Sequence, residues 1–350
     1  MPDPSRYHRQ ELLSGVGPEG QRRLRQSCAL IVGCGALGSA SADLLCRAGI
    51  GRLVLIDRDV VEWTNLQRQT LYDERDAREG APKAVAAQRR LRNVNSHVDV
   101  HALVGDLSPR NADRIIAEHR PDIILDGTDN FETRFLINDA AVKHGIPFVY
   151  AGVVAAGGMA LPVVPGQTAC LRCVFAEPPP AGSQPTCDTA GVLGPAVSIV
   201  AGYQAGEAMK ILLGLHDRVL RSLLSFDLWL GRRTRIEPQR DPDCRCCVHR
   251  EFDYLNASDA GTVASLCGQG AVQVSPPRET TIELGKLQEH LAGVGSFRMT
   301  EFLVTGTLGE ERGEDGEAIG LTVFADGRAL VRGVRTPERA RAIYARYVGV

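Results

Sequence analysis

The chain has 350 residues, of which 44% are hydrophobic, and its formal net charge is −2. This length is enough for one large domain and a small one, and the near-neutral charge argues against a general nucleic-acid or membrane-surface binder. The N-terminal sequence MPDPSRYHRQ lacks the apolar core of a secretory signal, and the uncharged stretches 145–171 and 189–206 lack the sustained apolar content of a membrane span. We therefore expect a soluble, cytoplasmic protein with no nucleic-acid or membrane partner.

Short apolar runs alternate with helical patterns through the first half of the chain. The predicted strands are 28–32, 52–57, 98–104, 122–126 and 146–152, and the predicted helices are 39–48, 81–92, 110–119 and 131–144. Strands that alternate with helices favour a parallel sheet with right-handed crossovers. We predict an α/β fold with a doubly wound, mostly parallel, Rossmann-like sheet.

The chain after this alternation is predicted to complete the first domain and to form a second one. Residues 145–171 read as two β-rich pieces and 189–206 as a buried helix, with a proline-rich loop over 175–188. The sequence DPDCRCC closes a first domain of residues 1–250. A helix, a strand, a hairpin turning at Asp326-Gly327 and a last helix with Thr336 as N-cap then follow. We predict a small α+β domain over 268–350, of unknown role.

The sequence GCGALG follows a predicted strand and opens a predicted helix. It contains Gly33, Gly35 and Gly38 in the G-x-G-x-x-G spacing, and Asp57 ends the next strand. Small residues let a backbone approach phosphates, and an acid at this distance is typical of a ribose contact. The pattern predicts a nucleotide site; the alternative is a glycine-rich turn used only for close packing.

Three charged residues beyond Asp57 favour ATP over a nicotinamide cofactor. Arg68 lies in the polar segment TNLQRQT, Lys83 begins a helix, and Asp129 follows the strand DIILD. In a doubly wound sheet these loops can converge at the carboxyl edge of the strands. We predict phosphate contacts from the two cations and a Mg²⁺ contact from the acid, although each residue alone could be a solvated surface charge.

Ten cysteines in a chain without a signal peptide point to metal or redox chemistry rather than disulfides. Two C-x-x-C units are predicted to hold a structural Zn²⁺ with four thiolates, Cys170, Cys173, Cys244 and Cys247. Cys246 offers a competing thiol, and the alternatives are reduced structural cysteines or a redox pair. Cys28, Cys34 and Cys46 fall on packing positions of the predicted core.

Read in order, the motifs resemble the ThiF/MoeB family, bacterial relatives of the ubiquitin-activating enzymes, and ThiF most closely. The matching motifs are RYHRQ, GCGALGS, LVLIDRDVVEWTNLQRQTLY, GAPKA, DGTDNFETR, CLRC, TCDTAGVLGP and CRCC. The resemblance implies an ATP- and Mg²⁺-dependent enzyme that adenylates the C-terminal Gly-Gly carboxylate of a small ubiquitin-fold sulfur carrier protein. It also implies a homodimer with one zinc ion per subunit.

The same resemblance implies roles for single residues. Asp57 would bind the ribose; Asn65, Arg68 and Lys83 would bind the phosphates; Asp129 would hold Mg²⁺; and Arg9 would reach the ATP of the partner subunit. Cys187 precedes a predicted helix, whose N-terminus would lower the pKa of a thiol, and ThiF-like members carry a sulfur-transfer cysteine at this place. A lone cysteine is otherwise usually inert. A second sulfur relay at Cys267 is not favoured.

The leading hypothesis is a nucleotidyltransferase that prepares a ThiS- or MoaD-like carrier for thiocarboxylate formation in thiamine or molybdopterin biosynthesis. A cysteine desulfurase or another sulfur donor would be a further partner. The alternatives are an NAD-dependent oxidoreductase, a family member that adenylates another carboxylate or carbonyl substrate, and a non-catalytic partner subunit. Carrier docking is one hypothesis for the C-terminal domain, whose strand pattern is too short for a rhodanese. Cys267 is the only cysteine after Cys247.

Overall fold

A computed structural model describes residues 6–179, 187–257, 263–266, 271–276, 278, 280–314 and 316–349; for 187, 188 and 263–266 it describes the backbone alone. The contacts between Cα atoms divide the chain into two compact units, Met1–Ala257 and Ser258–Val350. Each unit is described by itself. None of the helices among the described residues has both the length and the apolar composition needed to cross a membrane.

The first unit contains eight strands and ten α-helices among its described residues. The strands are β1 (Cys28–Val32), β2 (Arg52–Asp57), β3 (Asp99–Val104), β4 (Ile123–Asp126), β5 (Phe148–Val154), β6 (Gly157–Val163), β7 (Leu223–Asp227) and β8 (Arg232–Ile236). The helices are α1 (His8–Glu11), α2 (Gly17–Gln26), α3 (Ala36–Ala48), α4 (Glu74–Glu79), α5 (Lys83–Val94), α6 (Ala112–His119), α7 (Phe131–His144), α8 (Leu171–Val174), α9 (Cys187–Ala190) and α10 (Gly194–Leu212). Two 3-10 turns cover Trp63–Asn65 and His216–Arg218.

The eight strands form one sheet in the order β3-β2-β1-β4-β5-β6-β7-β8. The pairs from β3 to β5 are parallel, and the pairs from β5 to β8 are antiparallel. Helices α3, α5 and α10 pack on one face of the parallel strands, and α6 and α7 pack on the other. Because both faces are covered, β1 is buried along its whole length, as its unbroken apolar run CALIV requires.

These observations confirm the predicted doubly wound, mostly parallel sheet. The predicted helix at 39–48 begins three residues earlier, at Ala36, because the glycine loop feeds directly into it. The buried helix predicted at 189–206 is α10, displaced to Gly194–Leu212 with Pro195 in its first turn. The hairpin of β7 and β8 was not predicted. Half of the proline-rich loop, residues 180–186, lies outside the described residues.

The second unit contains an antiparallel sheet and two helices among its described residues. Its elements are β9 (Val263–Leu266), β10 (Ala271–Val274), α11 (Leu284–Ala292), β11 (Gly295–Met299), β12 (Leu303–Arg312), β13 (Ala318–Phe324), β14 (Ala329–Arg332) and α12 (Pro337–Tyr347). The strand order is β11-β12-β13-β14-β10-β9. The predicted hairpin is confirmed: Gly327 has a φ of +83°, which favours glycine at this turn. Thr336 occupies the N-cap position, but its side chain makes no capping hydrogen bond.

Candidate active site

The glycine-rich loop connects β1 to the N-terminus of α3. A Cβ at Gly33, where φ is +88°, would lie 2.6 Å from the carbonyl oxygen of Gly127, and a Cβ at Gly38 would lie 1.8 Å from that of Gly33. These two glycines therefore serve close packing, the alternative raised by the sequence. At Gly35 the nearest atom to such a Cβ is 3.8 Å away. The missing side chain there leaves room beside a helix N-terminus, where N–H groups and the helix dipole favour an anion.

Asp57 is the last residue of β2, and its carboxylate is buried beside the glycine loop. One carboxylate oxygen accepts a hydrogen bond from the N–H of Cys34 at 2.6 Å, and the other accepts from the N–H of Asp59 at 2.7 Å. Burial raises the pKa of Asp57 to about 6, and the positive charge of Lys83 opposes that rise. The carboxylate ties the strand end to the glycine loop, at the position where a ribose acid is expected.

Lys83 is the first residue of α5 and is buried. Its Nζ lies 3.1 Å from Oδ2 of Asp59, and its N–H donates to the carbonyl oxygen of Asp59 at 2.9 Å. Burial lowers the pKa of Lys83, but the charges of Asp59 and Asp57 outweigh burial, so the pKa lies above its ordinary value. The ammonium group is therefore charged and already anchored by an acid, which the sequence analysis did not anticipate.

Arg58 extends this group of charges and was also missed. Its guanidinium lies 3.4 Å from Asp106 and 3.8 Å from Asp59. Burial lowers the pKa of Arg58, but the surrounding carboxylates, Asp106 first and Asp129 among them, raise it overall. The signal that could have identified Arg58 was its position directly after Asp57, between two aspartates in the sequence DRD.

The polar segment 64–70 lies in the connection after β2 and begins within the 3-10 turn Trp63–Asn65. Asn65 is buried, and its Oδ1 accepts a hydrogen bond from the N–H of Glu62 at 3.0 Å. Arg68 is half-buried, and its Nη1 donates to the carbonyl oxygen of Thr64 at 2.9 Å. Gln69 is buried and Gln67 is exposed. The amide of Asn65 thus shapes the loop, and Arg68 supplies its positive charge.

Asp129 lies in the loop after β4, and its side chain is exposed. Asp126 fixes this loop: its Oδ1 accepts from the N–H and the hydroxyl of Thr128 at 2.8 and 2.7 Å, and its Oδ2 lies 3.2 Å from Nε of Arg134. Burial raises the pKa of Asp126, and Arg134 opposes the rise. This buried ion pair was not predicted from the sequence. The sequence feature that could have indicated the pair is an acid that begins the DGTDN turn, Asp126, followed by an arginine soon after the turn, Arg134.

The glycine loop, Asp57, Lys83 and Asp129 lie at one edge of the sheet, where the C-terminal ends of the adjacent strands β2, β1 and β4 meet. We call it the carboxyl edge. Asp129 is near enough for its charge to help raise the pKa of Lys83, against the lowering effect of burial. An exposed carboxylate is a hard oxygen donor of the kind Mg²⁺ prefers. The carboxyl edge therefore brings together open space at a helix N-terminus, a buried acid, a charged lysine and an exposed carboxylate.

Arg9 does not belong to this assembly within one chain. It lies on α1, where the side chain of Gln10 donates to the carbonyl oxygen of Ala48 at 2.9 Å, at the C-terminal end of α3. The glycine loop is at the other end of this 13-residue helix, which is about 20 Å long. The exposed guanidinium of Arg9 is therefore far from the nucleotide site of its own chain.

The four predicted zinc cysteines converge. The sulfur atoms of Cys170, Cys173, Cys244 and Cys247 all lie within 4.8 Å of one another. The sulfur of Cys170 lies 3.8 Å from that of Cys173 and 3.6 Å from that of Cys244, and the sulfurs of Cys173 and Cys247 are 3.5 Å apart. A tetrahedron of sulfurs with Zn–S bonds of about 2.3 Å has edges of about 3.8 Å, so the donor set fits Zn²⁺.

Cys246 lies outside this cluster. It is buried, and its sulfur accepts a hydrogen bond from Nδ2 of Asn138 at 3.2 Å. Of the three cysteines in CRCC, Cys244 and Cys247 are the two whose sulfur atoms join the converging group. Cys28, Cys34 and Cys46 are buried, as predicted.

Cys187 is the first residue of α9, a helix of four residues. The segment after this helix is attached to the turn between β5 and β6: the N–H of Ala155 donates to the carbonyl oxygen of Gly191 at 2.8 Å, and Leu193 donates to Ala155 at 2.8 Å. β5 runs parallel to β4, so this turn lies at the carboxyl edge. Cys267 lies outside the described residues.

Comparison with known proteins agrees with this geometry. The model of the ThiF family matches residues 7–246. The "Sulfur carrier protein ThiS adenylyltransferase" of Bacillus subtilis (strain 168) is 42% identical over 98% of this chain and 99% of its own length. The "Sulfur carrier protein adenylyltransferase" of Thermus thermophilus is 40% identical over 69% of this chain and 90% of its own.

Two further comparisons concern a larger relative and a solved structure. "Adenylyltransferase and sulfurtransferase MOCS3" of Sus scrofa is 42% identical over 70% of this chain, which spans about half (53%) of that protein. A crystal structure of E. coli MccB with ATP matches 70% of this chain and 74% of its own with a TM-score of 0.60 at 23% identity, a similarity of fold. The family match and the whole-length relative confirm the resemblance seen in the sequence: the chain belongs to the ThiF family.

Proposed function

We propose that this protein uses ATP to adenylate the C-terminal glycine carboxylate of a ubiquitin-like sulfur carrier protein. The observation that carries the proposal is the assembly at the carboxyl edge, where the open space at Gly35, the acid Asp57, the cation Lys83 and the exposed Asp129 lie together. Relatives that match the chain at 42% and 40% identity are named as adenylyltransferases of sulfur carriers. Those names also agree with the enzyme class predicted from the sequence, a nucleotidyltransferase.

In the proposed reaction the carrier carboxylate attacks the α-phosphorus of ATP, and pyrophosphate leaves. Asp57 orients the ribose, and the N-terminus of α3 with Arg68 and Lys83 binds the phosphates. Asp129 would hold Mg²⁺, which neutralises phosphate charge when bound. No protein nucleophile is required, because positioning and charge neutralisation lower the barrier.

A ThiS-like carrier is favoured over a MoaD-like carrier. The match to the Bacillus subtilis relative named for ThiS extends over 98% of the chain and includes the C-terminal unit, whereas the match to MOCS3 covers 70% of it. We therefore place the protein in thiamine rather than molybdopterin biosynthesis, as a homodimer with a structural zinc ion in each subunit. A cytoplasmic location and a sulfur donor such as a cysteine desulfurase belong to the same proposal.

The deciding experiment is ATP–pyrophosphate exchange with purified ThiS and with purified MoaD. We expect exchange to depend on ThiS and Mg²⁺, and to be lost in Asp129→Ala because the metal-binding oxygen is removed. A thermal-shift comparison of ATP-Mg²⁺ with NAD tests the oxidoreductase alternative. Exchange with neither carrier, or normal exchange by Asp129→Ala, would contradict the proposal.

Cys187 is proposed to carry sulfur to the activated carboxylate. Its helix leads directly into the segment attached at Ala155, and sulfur transfer needs a thiolate or persulfide nucleophile near the adenylate. We expect Cys187→Ser to retain pyrophosphate exchange and to lower thiocarboxylate formation when a cysteine desulfurase supplies the sulfur. Excess free sulfide should bypass the defect. Thiocarboxylate formation at the parental rate with the desulfurase would show that Cys187 is not on the sulfur route.

A further inference from the structure

One face of the antiparallel sheet in the second unit carries a polar groove. The helices α11 and α12 pack on the opposite face, against apolar side chains such as Leu321 and Val323 of β13. The groove has a volume of about 560 Å³, which is within the range of small-molecule sites. The polar side chains among its described lining are two arginines and four hydroxyl groups: Ser296, Arg298, Thr305, Thr307, Thr322 and Arg332.

The first row of these side chains crosses three strands. Thr305 of β12 lies opposite Arg298 of β11 on one side and opposite Thr322 of β13 on the other. Directly opposite residues of an antiparallel pair point to the same face of the sheet. The hydroxyl oxygens of Thr305 and Thr322 are 2.7 Å apart, so one hydroxyl donates a hydrogen bond to the other. The row therefore places a linked pair of hydroxyls beside the exposed residue Arg298.

The second row supplies the other arginine. Thr307 of β12 lies opposite Gly320 of β13, and Gly320 lies opposite Arg332 of β14. A Cβ at Gly320 would lie 3.3 Å from Cβ and 3.7 Å from Cδ of Arg332, so the stem of this arginine lies against the backbone of β13. Three strand spacings, about 14 Å, separate β14 from β11. The two arginines therefore flank the hydroxyl groups of β12 and β13.

The donors of this groove suit a phosphate ester. A guanidinium group binds phosphate oxygens through two parallel N–H donors, and threonine hydroxyls can donate to the remaining oxygens. A phosphomonoester has a charge of about −1.5 to −2 at pH 7, which two arginines balance, whereas a carboxylate has a single charge. None of the described residues that line the groove is acidic. The groove is thus complementary in charge to a phosphate group.

We propose that this groove is a binding site for a small phosphomonoester. Arg298 and Arg332 contact the phosphate group from its two sides, and Thr307 donates a hydrogen bond to it. When Thr322 donates to Thr305, the hydroxyl of Thr305 keeps its own hydrogen for the ligand. All of these residues belong to the second unit, so the site does not depend on the proposed adenylation and gives the C-terminal unit a role of its own.

Isothermal titration calorimetry of the full chain with phenyl phosphate at constant ionic strength tests the site. One equivalent of a non-hydrolysable ATP analogue with Mg²⁺ is present, so that binding at the nucleotide site is not counted. Arg332→Met keeps the apolar stem but removes the guanidinium. The dissociation constant should rise about tenfold or more, as for the loss of a hydrogen bond from a charged group. Benzoate, which has a carboxylate on the same ring, should bind the parental protein more weakly than phenyl phosphate.

Arg298→Met should weaken binding in the same direction, and because Arg298 is exposed this variant tests the site even if Arg332→Met lowers the melting temperature. Arg341→Met is the matched control, since Arg341 is an exposed arginine of α12, on the other side of the sheet. Its affinity for phenyl phosphate should equal that of the parental protein.

Three results would overturn the proposal: no binding of phenyl phosphate by the parental protein, parental affinity in both Arg298→Met and Arg332→Met, or an equal loss in Arg341→Met. Benzoate binding as tight as that of phenyl phosphate would overturn the assignment to a phosphate group. Binding of a phosphoserine peptide but not of phenyl phosphate would assign the groove to a modified protein, and would also overturn the proposal.

Discussion

The carboxylate of Asp57 is buried, accepts two backbone hydrogen bonds and has a pKa raised by burial to about 6. Its protonation state therefore changes in a range accessible to binding measurements. The ionised form is the better acceptor for ribose hydroxyls, whereas the protonated form is the one favoured by burial. Nucleotide affinity and folding stability should consequently respond to pH in opposite directions.

We predict that ATP binds more weakly as the pH falls through about 6. At pH 5, about a tenth of the Asp57 carboxyl groups remain ionised, so the dissociation constant should rise up to about tenfold relative to pH 7. Stability has the opposite sign: a carboxyl group whose pKa is raised by folding stabilises most at low pH, and this contribution is lost as the pH rises through about 6.

Isothermal titration calorimetry at pH 5, 6 and 7 measures the change in affinity. Asp57→Asn is the control, because its remaining pH dependence reports the titration of ATP itself. The same pH dependence of affinity in Asp57→Asn and in the parental protein would contradict the assignment of Asp57 to the ribose.

The cysteine cluster joins two elements that are distant in sequence. Cys170 and Cys173 flank the start of α8, and Cys244 and Cys247 lie in the segment that follows β8. Burial and the neighbouring Cys173 thiol raise the pKa of Cys247 to about 11, so without a metal the thiol stays protonated. Zn²⁺ binding would deprotonate the cluster and tie the two segments together.

We predict about one zinc ion per chain and a lower melting temperature after treatment with a strong chelator, because structural metal binding is coupled to folding. Cys247→Ser should lose the metal. The neighbouring Cys246→Ser should keep it, because Cys246 is not one of the four cysteines whose sulfur atoms converge, and its sulfur accepts a hydrogen bond from Asn138. Elemental analysis of freshly purified, reduced protein measures the metal. Equal zinc loss in both variants, or no zinc in the parental protein, would contradict a four-cysteine site.

Elements with an unbroken apolar run were predictable from the sequence, and elements defined by distant contacts were not. CALIV and RLVLID became β1 and β2 with the predicted boundaries because both faces of these strands are covered. The hairpin of β7 and β8 has an apolar turn and an exposed, arginine-rich second strand. That pattern is the reverse of a buried strand pair, so hydrophobic periodicity in the sequence did not reveal it.

The candidate site, too, has features that the sequence predicted and features that it did not. Asp57, Lys83 and Asp129 could be singled out because each stands at the end of a predicted strand or the start of a predicted helix. The pairing of Lys83 with Asp59, and of Arg134 with Asp126, could not, because each depends on how separate segments pack. The sequence therefore predicted three of the charged residues at the carboxyl edge, but not Arg58 and not the ion pairs that hold these side chains.

At the scale of the whole molecule, the position of Arg9 has a direct consequence for assembly. The residue lies at the end of α3 that is distant from the nucleotide loop of its own chain. If Arg9 contacts ATP, it does so in a second copy, as the proposed homodimer requires. A two-fold dimer would use the same contact twice.

We predict that Arg9→Ala and Asp129→Ala complement each other. Each variant alone should lack carrier-dependent pyrophosphate exchange, because one loses a cation at the phosphates and the other loses the metal-binding oxygen. In a co-expressed mixture half of the dimers are mixed, and each mixed dimer has one intact site, so about a quarter of the parental activity should return. The control is Arg9→Ala protein expressed alone, which should remain inactive. No recovery in the mixture would contradict an arginine supplied by the partner subunit.

The glycine contacts at the carboxyl edge also determine how this part of the molecule can move. A Cβ at Gly127 would lie 2.2 Å from the carbonyl oxygen of Gly33 and 2.9 Å from Cα of Gly38. The backbone of the loop after β1 thus contacts the backbone of the loop after β4 directly, with no side chain between them. Neither loop can shift alone. A nucleotide that immobilises the first loop would thereby also immobilise the loop that carries Asp129, so the entropy of ordering the second loop is already lost before the metal ion binds.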